Sequence, residues 1–156
     1  MRPAIRPAVA TDLGALVVLD QVCFGDSAWS SESWAAEFAR LGTDRVVLVA
    51  DEGAVAGYVV LLVPAAVEDP VDLLRIAVAP AERRTGIAGQ LMTAALSRSA
   101  GRTVLLEVAA GNDAAMGLYG GFGFEQISRR RGYYAGGEDA VIMRWQEQRR
   151  LERLDE

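Results

Sequence analysis

A short loop of arginines and small residues, placed between a strand-like and a helix-like segment, constrains this chain most. An apolar run over residues 73–78 precedes the loop and ends at Pro80, which favours a β-strand. Apolar residues at helical spacing follow the loop over residues 91–96. The first turn of a helix has amide N–H groups without internal partners, and the helix dipole favours an anion there. The loop therefore predicts a phosphate-binding site, unless it is an ordinary turn whose arginines are solvated.

Three small residues in this loop allow a phosphate to approach the backbone closely: Gly86, Ala88 and Gly89. Arginines supply positive charge and paired N–H donors. The candidate phosphate-binding residues are Arg83, Arg84, Thr85, Gly86, Ile87, Ala88 and Gly89.

Composition limits the chemistry that the rest of the chain can perform. The 156 residues suggest one domain, and 51% hydrophobic residues suffice for a core. No apolar run is long enough for a membrane span, and no signal sequence follows the first residues, so we expect a cytoplasmic protein without membrane contact. The single cysteine excludes an internal disulfide, and the absence of His removes the commonest base and metal ligand. A net charge of -5 argues against nucleic-acid binding.

Hydrophobic periodicity predicts a single α/β domain with a mixed sheet, in the order βααββ–βαβα–ββ. Helices are predicted from residue 11 to 23, from about residue 31 to near residue 42, from the arginine loop to near residue 101, and from about 112 to 119. Strands are predicted over residues 4–8, 45–50, 55–63, 73–78, 103–109, 124–131 and 138–145. Residues 146–156 form a charged tail that we expect to be helical or to dock on the domain.

Two residues beyond the loop are candidates for acid–base chemistry. Glu107 interrupts an apolar strand, where a carboxylate is costly unless it is paired, hydrated or functional. Tyr119 follows in the next helix. The alternatives are structural: Glu107 at a strand edge or paired with an arginine, and Tyr119 packed in the core beside Phe122 and Phe124.

Two motifs resemble those of the Gcn5-related N-acetyltransferases. Arg83-x-x-Gly86-x-Ala88 matches the acetyl-CoA loop, and the segment from Asn112 to Tyr119, followed by Gly123-Phe124, matches a later motif. Within that superfamily, the chain is most similar to the enzymes that acetylate the N-terminal alanine of a ribosomal protein. The segments that carry this similarity are residues 29–30, 76–80, 106–108, 115–119, 123–124, 130–134 and 138–143.

The resemblance implies a single-domain fold over residues 1–145, with a mostly antiparallel sheet of about seven strands flanked by four helices. It implies acetyl-CoA as co-substrate and no metal. The backbone of Ile76, Ala77 and Val78 would pair with the pantetheine arm, the loop would bind the pyrophosphate, and Asn112 would contact the cofactor. The acetyl group would move by direct attack in a ternary complex, with Glu107 as the base and Tyr119 as the acid.

The acceptor implied by the resemblance is a protein N-terminus, namely the N-terminal alanine of the eighteenth small-subunit ribosomal protein. The residues expected to shape the acceptor side are Trp29, Tyr133, Tyr134, Glu138 and Asp139. The two tyrosines have the alternative of being a hairpin aromatic pair.

Several positions depart from the family pattern: Ala109 where relatives often carry Arg, and Gly120-Gly121 after the candidate acid. These changes put peptide specificity in question, so a small amine remains an alternative acceptor, and a non-catalytic acyl-CoA-binding domain a further one. We expect a monomer or a weak dimer.

Overall fold

The computed structural model describes residues 3–147 and contains a seven-stranded mixed sheet with four α-helices. The strands lie in the order β1-β2-β3-β4-β5-β7-β6. They are β1 (Ala4–Pro7), β2 (Arg45–Asp51), β3 (Val55–Leu62), β4 (Val71–Val78), β5 (Val104–Ala109), β6 (Glu125–Arg130) and β7 (Ala140–Trp145). All neighbouring strands are antiparallel except β4 and β5. The predicted fold is confirmed, and most strand bounds lie within two residues of those expected from the sequence.

The helices are α1 (Leu13–Phe24), α2 (Ser31–Ala39), α3 (Ile87–Arg98) and α4 (Asp113–Gly121). Two of them begin at side-chain caps: Ser30 accepts a hydrogen bond from the Ser33 amide, and Asn112 accepts one from the Ala115 amide. None of the helices in residues 3–147 combines the length and apolar character that crossing a membrane requires. Most of the charged tail, residues 148–156, lies outside the described residues, and so does the prediction that it is helical.

Two hydrophobic clusters cover opposite faces of the sheet. One contains α3 side chains such as Leu91, together with Leu106 and Val108 of β5 and Tyr119 of α4. The other contains Leu16 of α1, Trp34 of α2, and residues of β2 and β3. Because side chains alternate along a strand, Glu107 projects to the face opposite α3 and α4.

β4 and β5 pair in parallel at two positions only, Val71 with Val104 and Asp72 with Leu105. Beyond these pairs β4 bonds only to β3, and β5 bonds only to β7. A bulge at Leu74, where Leu61 pairs with Leu73 and Val60 with Arg75, bends β4 at this point. The two strands therefore diverge and leave a gap in the middle of the sheet.

Candidate active site

The arginine loop forms the predicted turn before α3. Arg84 and Gly86 both have positive φ angles, of 68° and 86°, and Gly86 is the N-cap of the helix. The Thr85 hydroxyl donates to the Glu82 carbonyl at 2.5 Å, which closes the turn. The Gly86 carbonyl accepts the hydrogen bond from the Gln90 amide, so the amides before Gln90 stand at the open end of the helix. This is the arrangement that binds an anion.

An open groove of about 700 Å³ runs from this turn along the outer side of α3. It is lined by residues of the loop, of α3, and by one residue from β1 and one after α4: Thr85, Gly86, Gly89, Gln90, Thr93, Ala94, Ser97, Ile5 and Phe122. The groove begins at the turn before α3, because Thr85 and Gly86 line it.

Beyond Asp72, the backbone groups on the side of β4 that faces the gap are not bonded to a neighbouring strand. The Ala79 amide donates to the Ala56 carbonyl of β3, and alternation therefore turns the N–H and C=O groups of Ile76 and Val78 towards the gap. The Val78 carbonyl accepts from Arg83 Nε at 3.3 Å, which joins the arginine loop to this strand. An extended, amide-containing arm can add to such a strand edge by main-chain hydrogen bonding.

Glu107 of β5 lies at the other side of the gap. Its side chain is 35% exposed, and its carboxylate oxygen is 3.5 Å from Arg130 Nη2, whose side chain is 53% exposed. An ion pair this exposed contributes little stability. The carboxylate is therefore accessible to an incoming amine, as a base must be.

Tyr119 lies on α4 and is 7% exposed. Its ring packs against Phe124, with a centroid distance of 5.9 Å. Burial raises the pKa of Tyr119 to about 12. The hydroxyl is thus protonated throughout the neutral range, and both the packing and the donor role considered for this residue are compatible with its position.

The hairpin between β6 and β7 carries Tyr133 and Tyr134, two of the predicted acceptor residues. Burial, followed by the negative charges of Glu107 and Glu138, raises the pKa of Tyr134. Tyr133 is 51% exposed and packs edge to face on Tyr134, with Arg130 over its ring. Tyr134, one of the predicted acceptor residues, therefore lies within electrostatic range of Glu107.

Two acidic residues of the same hairpin bind backbone amides. Glu138 accepts from the Gly111 amide at 2.8 Å, which joins the hairpin to the start of α4. Asp139 accepts from the Gly132 amide at 2.9 Å and from Arg129 at 3.1 Å. They hold the hairpin in shape, and direct contact with an acceptor stays a prediction.

Trp29 precedes α2 on the opposite side of the gap. Its ring is half-buried, 4.9 Å from the Trp34 ring and 4.8 Å from the Arg75 guanidinium carbon. Its predicted contact with the acceptor is likewise untested.

Asp72 is a second carboxylate beside Glu107, and it was not among the site residues predicted from the sequence. It pairs with Leu105, and Glu107 follows two residues later on the same face of β5. Burial, followed by the charge of Glu107, raises the pKa of the Asp72 carboxyl, although Asp72 has no hydrogen-bond or ion-pair partner among residues 3–147. The predicted strand began at residue 73, whereas β4 begins at Val71, so the sequence left Asp72 outside the strand.

We expect Asp72→Asn to raise Tm at pH 7. Because the carboxyl pKa is higher in the folded state than the unfolded value of 3.8, the charged form opposes folding above that range, and the cost disappears as the pH falls towards 4. The gain in Tm should therefore shrink between pH 7 and pH 4. Thermal unfolding across this range tests it, with the exposed Asp69→Asn as control. A lower Tm at pH 7 would contradict the assignment.

We expect Gly86→Val to raise the KM for acetyl-CoA about tenfold, since a β-branched residue is strained at this positive φ and would distort the anion-binding turn. A Cβ there meets nothing within 4 Å, so strain is the cause rather than a clash. Gly53→Val is the matched control, because Gly53 has a φ of 94°, equally open space and a position in the hairpin between β2 and β3. Equal effects of both variants on KM would contradict the cofactor role.

The fold, the turn before α3 and the divided sheet together define an acyl-CoA-dependent transferase, and comparison with known proteins assigns the family. The profile of the acetyltransferase (GNAT) family matches residues 15–124. The chain belongs to this family of acetyl-CoA-dependent N-acetyltransferases, which confirms the enzyme class predicted from the motifs.

Within this family, the chain is similar to several proteins named as N-terminal acetyltransferases. N-alpha-acetyltransferase RimI of Mycobacterium tuberculosis is 43% identical over 70 residues, an alignment that spans 44% of each protein. A Bacillus subtilis protein provisionally named as a [ribosomal protein bS18]-alanine N-acetyltransferase is 29% identical over 151 residues, covering 91% of this chain and 94% of that protein. The crystal structure of the ribosomal-protein-S18-alanine N-acetyltransferase from Escherichia coli superposes with a TM-score of 0.81 at 30% identity, covering 92% of both chains.

Proposed function

We propose that this protein acetylates the α-amine of a protein N-terminus, and that its acceptor is the N-terminal alanine of ribosomal protein bS18. The observation that carries the proposal is the accessible carboxylate of Glu107 at the gap between β4 and β5, bordered by Tyr134 of the hairpin. The names of the B. subtilis and E. coli relatives support the choice of acceptor. A cytoplasmic location and a monomeric or weakly dimeric state remain predictions.

The proposed reaction begins with the acceptor amine in its neutral form. An α-amino group has a pKa of roughly 7.7–8, so much of it is protonated at neutral pH. Glu107 removes this proton, directly or through one water, and the nitrogen attacks the thioester carbon. The residues expected to hold acetyl-CoA are those of the loop and the exposed edge of β4, with Asn112 beside them at the start of α4.

Breakdown of the tetrahedral intermediate releases the thiolate of coenzyme A. Tyr119 is the proposed donor to this sulfur, since its hydroxyl is protonated at neutral pH. A thiol of this kind has a pKa of roughly 8.5, below that of the tyrosine, so the hydroxyl stabilises the thiolate chiefly by donating a hydrogen bond. In this proposal Glu107 acts on the entering amine, and Tyr119 acts on the leaving sulfur.

The test is thiol release from acetyl-CoA with three acceptors. The first is a hexapeptide with the N-terminal sequence of bS18 from the same organism, the second is the same peptide with a blocked α-amine, and the third is spermidine. The proposal expects turnover with the free peptide only. Turnover with spermidine alone would reassign the protein to small amines. Acetyl-CoA binding without any turnover would favour the non-catalytic alternative.

A further inference from the structure

A fully buried carboxylate lies at the end of α1 and takes no part in the reaction described above. Asp20 is 0% exposed. It accepts hydrogen bonds from the Tyr58 hydroxyl, from Arg75 Nε at 2.7 Å and from the Trp29 amide at 2.7 Å. A buried charge is costly unless it is paired and hydrogen-bonded, and here both oxygens have partners. The network joins α1, β3, β4 and the segment between the first two helices.

Arg75 contacts residues 24–29 by a hydrogen bond and by stacking on aromatic rings. Its Nη2 donates to the Ser27 carbonyl at 2.9 Å, and its guanidinium lies 3.7 Å from the centroid of the Phe24 ring. The Trp29 ring contacts the same guanidinium. The planar fork of arginine can bridge a carboxylate and a carbonyl while it stacks on aromatic rings, which lysine cannot do. We call residues 24–29, which are the last residue of α1 and the segment that follows it, the α1–α2 loop.

The network lies on the face of the sheet from which the acceptor would approach Glu107, and acetyl-CoA would bind at the other face. Arg75 pairs with Val60, which faces the α1 and α2 side of the sheet, and Glu107 projects to that same side. The cofactor turn and the groove belong to α3, on the other face. The α1–α2 loop and the hairpin with Tyr134 therefore stand on either side of the approach to Glu107.

We infer that Asp20 and Arg75 are positioning residues that hold the α1–α2 loop, with Trp29, as one wall of the acceptor groove. This inference rests on the proposed function, since it assumes that an amine acceptor approaches Glu107 from this face. Acceptor affinity then depends on the network, whereas acetyl-CoA affinity does not.

The test compares Arg75→Lys with Arg45→Lys. Arg45 is a matched control, because its side chain is 16% exposed against 14% for Arg75 and pairs with Glu37 at 2.5 Å on the α2 side of the sheet. We expect Arg75→Lys to raise the KM for the acceptor about tenfold through the loss of charge-assisted hydrogen bonds, with the KM for acetyl-CoA within about twofold of wild type. Arg45→Lys should change neither KM.

Hydrogen exchange gives a readout that does not depend on activity. The Trp29 amide donates to Asp20, so we expect faster exchange in residues 24–29 of Arg75→Lys and unchanged exchange in α3. If Arg75→Lys does not fold, the double variant Asp20→Asn/Arg75→Met replaces it, because it leaves no lone buried charge.

Wild-type turnover with the bS18 peptide is measured first and decides the proposed function on its own. The KM comparison then uses whichever acceptor the wild type accepts, and if it accepts none, both the proposed function and this inference fail. With an active wild type, an unchanged acceptor KM, an equal rise in both KM values, or unchanged exchange in the α1–α2 loop would overturn the inference while leaving the proposed function intact.

Discussion

Glu107→Gln should lower kcat at pH 7 by on the order of 10²- to 10⁴-fold, the range typical for loss of a general base. The amide is nearly isosteric with the carboxylate but cannot accept a proton. Because the wild-type side chain is partly exposed and its pair with Arg130 is weak, the variant should fold normally. The KM for acetyl-CoA should stay unchanged, since the phosphate loop and β4 are untouched.

The pH dependence of this variant separates a base from a structural residue. An α-amine loses its own proton above a pH of roughly 8, so the need for a base decreases there. We expect the deficit of Glu107→Gln to be largest near pH 6 and to shrink towards pH 9. Steady-state kinetics over this range, with the exposed Glu68→Gln as control, measures it. A deficit that is independent of pH would remove Glu107 from the base role.

Tyr119→Phe should lower kcat by about 10- to 100-fold, since it removes one hydrogen bond to the leaving thiolate and leaves the ring in place. The ring packing against Phe124 is retained, so Tm should change by only a few degrees. The effect should decrease with an acetyl donor whose thiol is more acidic, because a better leaving group needs less stabilisation.

The control for this variant is Ser99→Ala. Ser99 is also buried, and its hydroxyl donates to the Ala95 carbonyl at 3.0 Å at the end of α3. We expect that substitution to keep kcat within a few fold of wild type. Equal kcat for Tyr119→Phe and wild type would leave Tyr119 with a packing role only.

The sequence allowed the helices and strands to be predicted, because their signals are local, and signals of the same kind marked Glu107 and the turn at Gly86 as candidate site residues. Glu107 was visible as a charge in an apolar strand, and the turn at Gly86 as small residues between a strand and a helix. The caps at Ser30 and Asn112 follow from the same local logic.

Long-range pairings had no such signal. The Asp20–Arg75 pair joins residues 55 positions apart, and Glu138 binds an amide 27 positions away. Each residue taken alone is an ordinary charge on a helix, strand or hairpin. The gap between β4 and β5 depends on the short register of their pairing, which no local pattern specifies. The same register places Asp72 beside Glu107.

N-terminal acetylation can be tested by mass spectrometry of the bS18 hexapeptide after incubation with the protein and acetyl-CoA. Fragmentation of the product locates the acetyl group. We expect one acetyl group on the α-nitrogen of the N-terminal alanine, and none when Glu107→Gln replaces the wild type for the same short time. An unmodified peptide, or acetylation at a side chain, would contradict it.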